Sequence, residues 1–588
     1  MATGQLRLLG AALRAAAGVP GAAAAANAGA VAAALQLLPA QLALAAATSK
    51  QGATTRGRGV PGIRSLHTSA PVAAAGLEPP LVPAAGSAVG PAVPPLPPGV
   101  QLVREFIHDS LYHPTDGYFS KQTATGATVV GSLPAPLDFR SFAGQTEYLQ
   151  AVQAAYTQLQ ASWLTPVEIF HPHYARGIAA CILQRWQALA AAKGLSGAEP
   201  PLTIYEIGGG TGTLARDILN WLREEHPDAY QHCTYACIEI SPVLAAVQQQ
   251  RVAQEAGHAA RFSVRRHDAA DAAAWAAADA AAAEAAAGGS DAAAAAAGGG
   301  AAAQPCFVVM CEVLDNLPHD RVWRDMGSDQ WRQTLVAASD LYEDLPAWHT
   351  HHPSHEGQLF ELTMPVSDPL IARCLAALTN VPRLEQARGT RGGGGLGLAA
   401  ARAWRKLVGE ATCDVRWLPT GCLQLLDTLH QARPNHTLVA ADFDALPEVS
   451  VAGACAPLVA TTVGGTTIDH GSYLVPRGSA DIFFPTDFPL LCQLYRESAG
   501  EAARRRWRQR GATPPAPAAA PETTAGCLEP GERREAEVDH MSTGEFMRQH
   551  CPDPGATACR DGYNPLLQDY SNSAFFLGSS SSSSKQRE

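Results

Sequence analysis

The chain has 588 residues and a mass of 61.4 kDa, enough for one full core and, on size alone, for two or three domains. Apolar residues make up 47% of it, but much of that is alanine in long Ala/Gly runs, so the folded part is smaller than the length implies. The formal net charge of −11 excludes broad binding to a nucleic-acid backbone, which needs clustered Lys and Arg, while leaving room for a basic peptide. The 13 cysteines, without CxxC pairs, read as reduced thiols rather than a disulfide framework.

The first acidic residue is Glu78, and Arg7, Arg14, Lys50, Arg56, Arg58 and Arg64 precede it among Ala, Leu, Ser and Thr. A basic, acid-free, Ser-containing start is the mark of an organellar transit peptide, read here over residues 1–70. The apolar run from Ala22 to Ala47 is mostly alanine and contains Pro39, which favours an amphipathic targeting helix over a membrane span. Residues 71–100 are a Pro-rich linker. The folded part is expected from about Val100, with an N-terminal substrate-side segment over 101–200. A core over 201–495 follows, interrupted by coreless insertions at 269–304 and 383–402. Residues 496–540 read as a further disordered insertion, 541–578 as a closing folded segment, and 579–588 as a serine tail. The run from Trp348 to His355 carries four histidines. Without a matching Cys or Asp cluster it reads as a solvated loop, and no metal site is expected.

Between the insertions strands alternate with helices. Leu202 to Ile207 is a short apolar strand ending in glycines, and Leu214, Ile218, Leu219 and Leu222 then recur at helical spacing. Tyr235 to Ile240 is a second strand, followed by the helix start Ser241-Pro242. Arg261 to Val264, Phe307 to Cys311 and Thr437 to Ala441 complete five strands. The rhythm predicts an α/β fold with right-handed crossovers and a mostly parallel sheet, with ligands bound at the carboxyl ends of its strands.

Polar residues fall at those ends. Gly208, Gly210 and Gly212 occupy alternate positions after Glu206. The dinucleotide fingerprint wants G-x-G-x-x-G around a pyrophosphate, so this loop matches it imperfectly. A carboxylate at Glu206 suits a cationic ligand instead, such as the ammonium and sulfonium of S-adenosylmethionine. Glu239 ends the second strand, where it can accept from ribose hydroxyls, and Asp268 ends the third, where it can accept from an adenine amino group. Glu312, Asp315 and Asn316 end the fourth, where they can hold a cationic nitrogen; capping of the loop by Asp315 and Asn316 is the alternative.

Together these residues resemble the MidA-like class I methyltransferases, over most of the chain from Arg104 to Leu577 outside the insertions. Arg104-Glu105-Phe106-Ile107 with Pro114 to Phe119 is similar to that family's opening, and Thr165-Pro166-Val167-Glu168 to its T-S-P-E segment. Glu206 to Thr213 and Cys311 to Pro318 resemble its cofactor loop and its H-E-F-F-D-x-L-P segment. Val439 to Phe443 and Gly478 to Phe488 resemble its V-A-D-Y and G-T-A-D…D-F segments. The family's G-D-F has no counterpart before Thr165, Cys311 replaces a histidine, and Gly209 replaces the commoner proline. The resemblance implies a Rossmann-like sheet with helices on both faces, S-adenosyl-L-methionine as cofactor, and a substrate role for Thr165 and Glu168. It further implies protein arginine N-methylation of a respiratory complex I subunit in the mitochondrial matrix. A plastid is the lesser alternative for the compartment. A non-catalytic assembly factor and a nicotinamide-dependent oxidoreductase are the rival functions.

Overall fold

The structure is a computed structural model that describes residues 96–120, 130–159, 164–192, 201–287, 304–324, 328–338, 350–356, 359–381, 414–447, 449–463, 466–509 and 536–580. The expected transit segment with its apolar run, nearly all of the Pro-rich linker, the 383–402 insertion and residues 581–588 lie outside these.

The chain enters through strand β1 (Val100–Leu102) and helix α1 (Val103–Tyr112), then α2 (Gln145–Leu159), α3 (Pro166–Ile169) and α4 (His173–Ala192). The alternating region follows as β2 (Leu202–Ile207), α5 (Thr213–Glu225), α6 (Pro227–Gln231), β3 (Cys233–Glu239), α7 (Pro242–Gln248), β4 (Phe262–Arg266), α8 (Ala272–Ala287) and β5 (Cys306–Cys311). Next come β6 (Asp320–Arg324), β7 (Trp331–Ala338), β8 (Thr350–Glu356), β9 (Leu359–Pro365), α9 (Pro369–Thr379), β10 (Asp414–Leu418), α10 (Thr420–Ala432) and β11 (His436–Phe443). The last stretch holds β12 (Leu458–Val463), β13 (Thr466–Asp469), β14 (Asp481–Phe483), α11 (Phe488–Gln509), β15 (Glu537–Ser542), α12 (Thr543–His550), α13 (Pro565–Gln568) and β16 (Ser573–Ser579).

Seven strands form the central sheet in the order β15-β16-β11-β5-β2-β3-β4. The five expected strands pair in parallel, and β16 runs antiparallel to both β11 and β15. This is the Rossmann-like sheet that the alternation predicts, with one reversed strand near the edge. Successive side chains of β5 enter different cores, Phe307 and Val309 on one face, Val308 and Met310 on the other, which is why its sequence is a continuous apolar run. Strand order reverses at β2: β3 and β4 lie to one side, β5 and β11 to the other. The crevice beyond β2 and β5 is therefore the topological switch point, where open α/β sheets bind ligands.

Three readings of the sequence need correction. First, the expected insertion at 269–304 begins with an ordered helix. Trp275 of α8 is fully buried, lies edge-on to Tyr205 at 5.4 Å and donates to the Ala269 carbonyl at 2.9 Å. Arg433 sits 4.7 Å from both aromatic rings and makes two bonds to Asp279 of α8, at 2.8 and 2.6 Å. One tryptophan and one ion pair thus recruit an otherwise featureless Ala helix to the core. Second, α11 and β15 extend into the expected 496–540 insertion. Along α11, Leu494, Tyr495 and Ser498 are buried, and Arg373 bridges Glu497 to Asp427. Third, the histidine-rich run is not a loop over its described part. Residues 350–356 form β8, paired with β9 through Thr350↔Thr363 and His355↔Phe360.

That pairing belongs to an antiparallel sheet, β10-β6-β7-β9-β8 with β1 on β7, inserted between β5 and β11. A small sheet, β13-β12-β14, lies between β11 and α11 in the chain. Among the described residues, no helix is long and apolar enough to cross a membrane, and no group of three His, Cys, Asp or Glu residues is placed to hold a metal.

Candidate cofactor and acceptor site

The loop between β2 and α5 turns through three left-handed residues, Gly208 at φ 68°, Gly210 at φ 51° and Gly212 at φ 84°. Side-chain-bearing residues adopt this conformation only with strain. At Gly208 a Cβ would also meet Val313 Cγ2 at 2.8 Å, whereas at Gly210 it would meet only Val130 Cγ1 at 3.9 Å. Gly210 is therefore needed for its backbone and for ligand approach, not to avoid a neighbour.

The loop floors a cavity of about 830 Å³ lined by Glu206, Gly208 to Thr211, Glu239, Asp268, Glu312 and Asn316, among others. This lies within the roughly 300–1,000 Å³ of ligand and cofactor pockets. Glu206 is buried, and its Oε2 accepts from Tyr235 Oη at 2.9 Å and, weakly, from Cys237 Sγ at 3.4 Å. Burial pushes its carboxyl up to about 7, against the lowering effect of those two bonds. Glu239, also buried, accepts from the Ser241 amide at 2.8 Å and from Gln248 Nε2 at 2.9 Å, and burial pushes it up to about 7 as well. Asp268 lies two residues beyond β4, not at its last position. It accepts from the Ala270 amide at 2.8 Å and stands 3.5 Å from His108 Nε2. Burial opposes its ionisation, but the His108 and Ala270 bonds prevail and its pKa falls below the ordinary value. The three carboxyls of Glu206, Glu239 and Asp268 thus line one cavity with the glycine cradle. Two buried carboxyls with raised pKa in one water-accessible site are suited to a ligand that brings positive charge, and the cradle lets such a ligand approach the backbone closely. These residues fit S-adenosylmethionine.

Helix α1 borders the cavity through Arg104, His108 and Tyr112. Arg104 anchors it, pairing with Asp320 of β6 and with Asp368, each at 2.6 Å, which gives the family-like opening a physical role. Gln248 also contributes, joining Glu239 to the Gly210 carbonyl at 3.0 Å. It sits on a helix away from the motifs, and no local signal marked it.

At the end of β5, Glu312 has φ 55°, a strained conformation for a non-glycine residue, and its amide donates to Ala441 at 2.9 Å. Asp315 is buried; its amide donates to Asp442 Oδ2 at 3.1 Å and its carbonyl accepts from Phe484 at 2.8 Å. Burial first, then the charge of Asp315, drive the Asp442 carboxyl well above its usual range. Asn316 has a structural use: its side-chain Nδ2 donates to Asp481 Oδ1 at 3.0 Å and to the Ile482 carbonyl at 3.2 Å, tying this strand end to β14. Asp442 and Asp481 lie in family-like segments, but nothing local singled them out as site residues.

A second cavity of about 120 Å³ adjoins the first, sharing Phe119, Val130, Thr165, Glu312 and Asn316 with it. Asp315, Asp481 and Asp569 line it with Tyr148, Tyr156, Phe443, Phe483 and Tyr570. Thr165 lines both cavities and caps α3, accepting from the Glu168 amide at 3.3 Å. Glu168 lines the larger cavity but not the smaller.

A family model described as "Putative S-adenosyl-L-methionine-dependent methyltransferase" matches residues 177–506. Among solved structures, the chain is similar to a COG1565 superfamily member from Burkholderia thailandensis bound to S-adenosyl-homocysteine, with 15% identity, a TM-score of 0.45, and coverage of 82% of this chain and 88% of that one. A second COG1565 superfamily protein from the same organism is 14% identical with a TM-score of 0.42, covering 82% of this chain and 87% of that one. Magnesium protoporphyrin IX methyltransferase from Synechocystis PCC 6803 is 12% identical with a TM-score of 0.13, covering 32% of this chain and 80% of that one. No curated protein matches. The family match spans more than half of the chain and takes in the glycine loop, Glu239 and the β5 strand end; the chain belongs to this S-adenosyl-L-methionine-dependent methyltransferase family.

Proposed function

We propose that the chain is a protein arginine N-methyltransferase acting in the mitochondrion on a subunit of respiratory complex I. The observation that carries the acceptor chemistry is the small acidic, aromatic cavity that meets the cofactor cavity at Glu312 and Asn316. A guanidinium needs paired anionic acceptors and gains from aromatic faces, and this cavity offers Asp315 and Asp481 among five aromatic side chains in addition to Phe119. When bound, S-adenosylmethionine supplies an electrophilic methyl group. The chain's own residues then have two tasks, positioning and electrostatics. Asp315 and Asp481 hold the guanidinium, while the aromatic wall excludes water. Glu312, at the boundary of the two cavities, takes the proton that the nitrogen releases. Asn316 holds this strand end in register with β14.

The test is incubation of the protein with methyl-labelled S-adenosylmethionine and organelle extract, followed by hydrolysis. Label recovered as methylarginine supports the reading, and label on another residue type refutes it. Cofactor binding without any transfer would favour a non-catalytic assembly factor, a reading supported by the altered region before Thr165 and by Cys311 in the place of the family's histidine. The compartment rests on the basic, acid-free residues 1–77. N-terminal sequencing of native protein should find the first 70 or so removed; an intact Met1 would defeat this, and a fluorescent fusion found only in plastids would move the compartment.

A further inference from the structure

The glycine loop is held from outside the central sheet as well as from within it. Thr211 Oγ1 donates to Glu168 Oε1 at 2.5 Å. The other carboxylate oxygen, Oε2, accepts from Ser132 Oγ at 3.0 Å and, at a longer 3.3 Å, from the Leu133 amide. Glu168 is only 3% exposed, so each oxygen meets donors of the protein itself. Its helix, α3, is capped by Thr165, and Thr165, Pro166 and Ile169 line the acceptor cavity that Glu168 does not reach. From the other side, Arg251 donates to the Thr211 carbonyl at 3.1 Å. Thr211 is thus clamped between a buried carboxylate and a guanidinium.

We infer that Glu168 is a positioning residue that holds the glycine loop in its cofactor-accepting shape through Thr211, and not a ligand of the substrate. Through Glu168 the segment that walls the acceptor cavity is tied to the glycine loop that floors the cofactor cavity. Loss of that side chain therefore falls on cofactor affinity. A substrate ligand in the same segment would act on acceptor binding instead. The assignment rests on the cofactor reading of the large cavity and is independent of the arginine proposal.

The experiment is calorimetric titration of the full chain with S-adenosylhomocysteine, for wild type, Glu168→Gln, Glu168→Ala, Thr211→Val and the Glu168→Gln/Thr211→Val double variant, with melting temperatures recorded in parallel. Because one charge-assisted hydrogen bond joins the two residues, Glu168→Gln and Thr211→Val should each weaken binding about tenfold. The double variant should bind no worse than the weaker single, since both remove the same interaction. Glu168→Ala, which also abandons Ser132 and Leu133, should be weaker than Glu168→Gln. Wild-type affinity in both single variants overturns the assignment, as does a double variant whose loss is the product of the singles. A lowered melting temperature with affinity intact well below it reveals mere packing and overturns it too. Absence of binding by the wild type would overturn the cofactor reading itself.

Discussion

Glu206→Gln separates the stability of the empty site from its function. Raising the Glu206 carboxyl from its ordinary 4.5 to about 7 makes ionising it in the empty protein cost about 3 kcal/mol, at about 1.4 kcal/mol per pH unit. Between those two values the folded protein holds a proton that the unfolded chain has released. The contribution of Glu206 to the stability of the empty protein therefore falls as pH rises from 4.5 to 7 and is flat above. Glutamine does not titrate, so the variant lacks this slope. Chemical denaturation without cofactor, at pH 5 and at pH 8, should show the variant gaining up to about 3 kcal/mol on the wild type between the two. The comparison is a difference of differences, so any constant penalty for seating the amide beside Tyr235 and Cys237 cancels. A cationic ligand favours the carboxylate, so wild-type affinity for S-adenosylmethionine should strengthen as pH rises through 7, with proton release on binding below it. The variant should bind weakly at every pH. Parallel stability curves for the two proteins, or equal cofactor affinity, would refute the argument.

Asp315→Asn should retain the backbone bonds to Asp442 and Phe484 and the fold with them. With one acceptor charge lost from the small cavity, turnover should drop about ten- to a hundredfold while S-adenosylhomocysteine affinity holds; a fully active variant would mean that Asp315 is structural. Arg433→Ala removes the cation between Tyr205 and Trp275 and takes one of two arginines from Asp279, leaving its pair with Arg265. Denaturation should show a loss of about 3 kcal/mol, and a loss below about 1 kcal/mol would mark the pair as a surface contact.

What could be read from the residues alone was local. The five parallel strands were legible because buried strands are short apolar runs bounded by turns. The glycine loop was legible because alternate left-handed residues demand glycine, and Gly208, Gly210 and Gly212 all have positive φ. Glu206, Glu239, Asp268 and Glu312 were legible because strand ends in an alternating fold point to one edge of the sheet. The inserted antiparallel sheet was not, since its strands are defined by partners distant in sequence and not by their own composition; the histidine run becomes β8 only because β9 lies beside it. Helix α8 looked coreless because its burial turns on Trp275 and on Arg433, which joins Asp279 across 154 positions. The roles of Glu168 and Asn316 depend on Thr211 and Asp481, 43 and 165 positions away. A side chain's identity says what it can bond, and chain proximity suggests where it lies, but only the folded backbone decides which donors reach it, as Thr211, Ser132 and Leu133 reach Glu168.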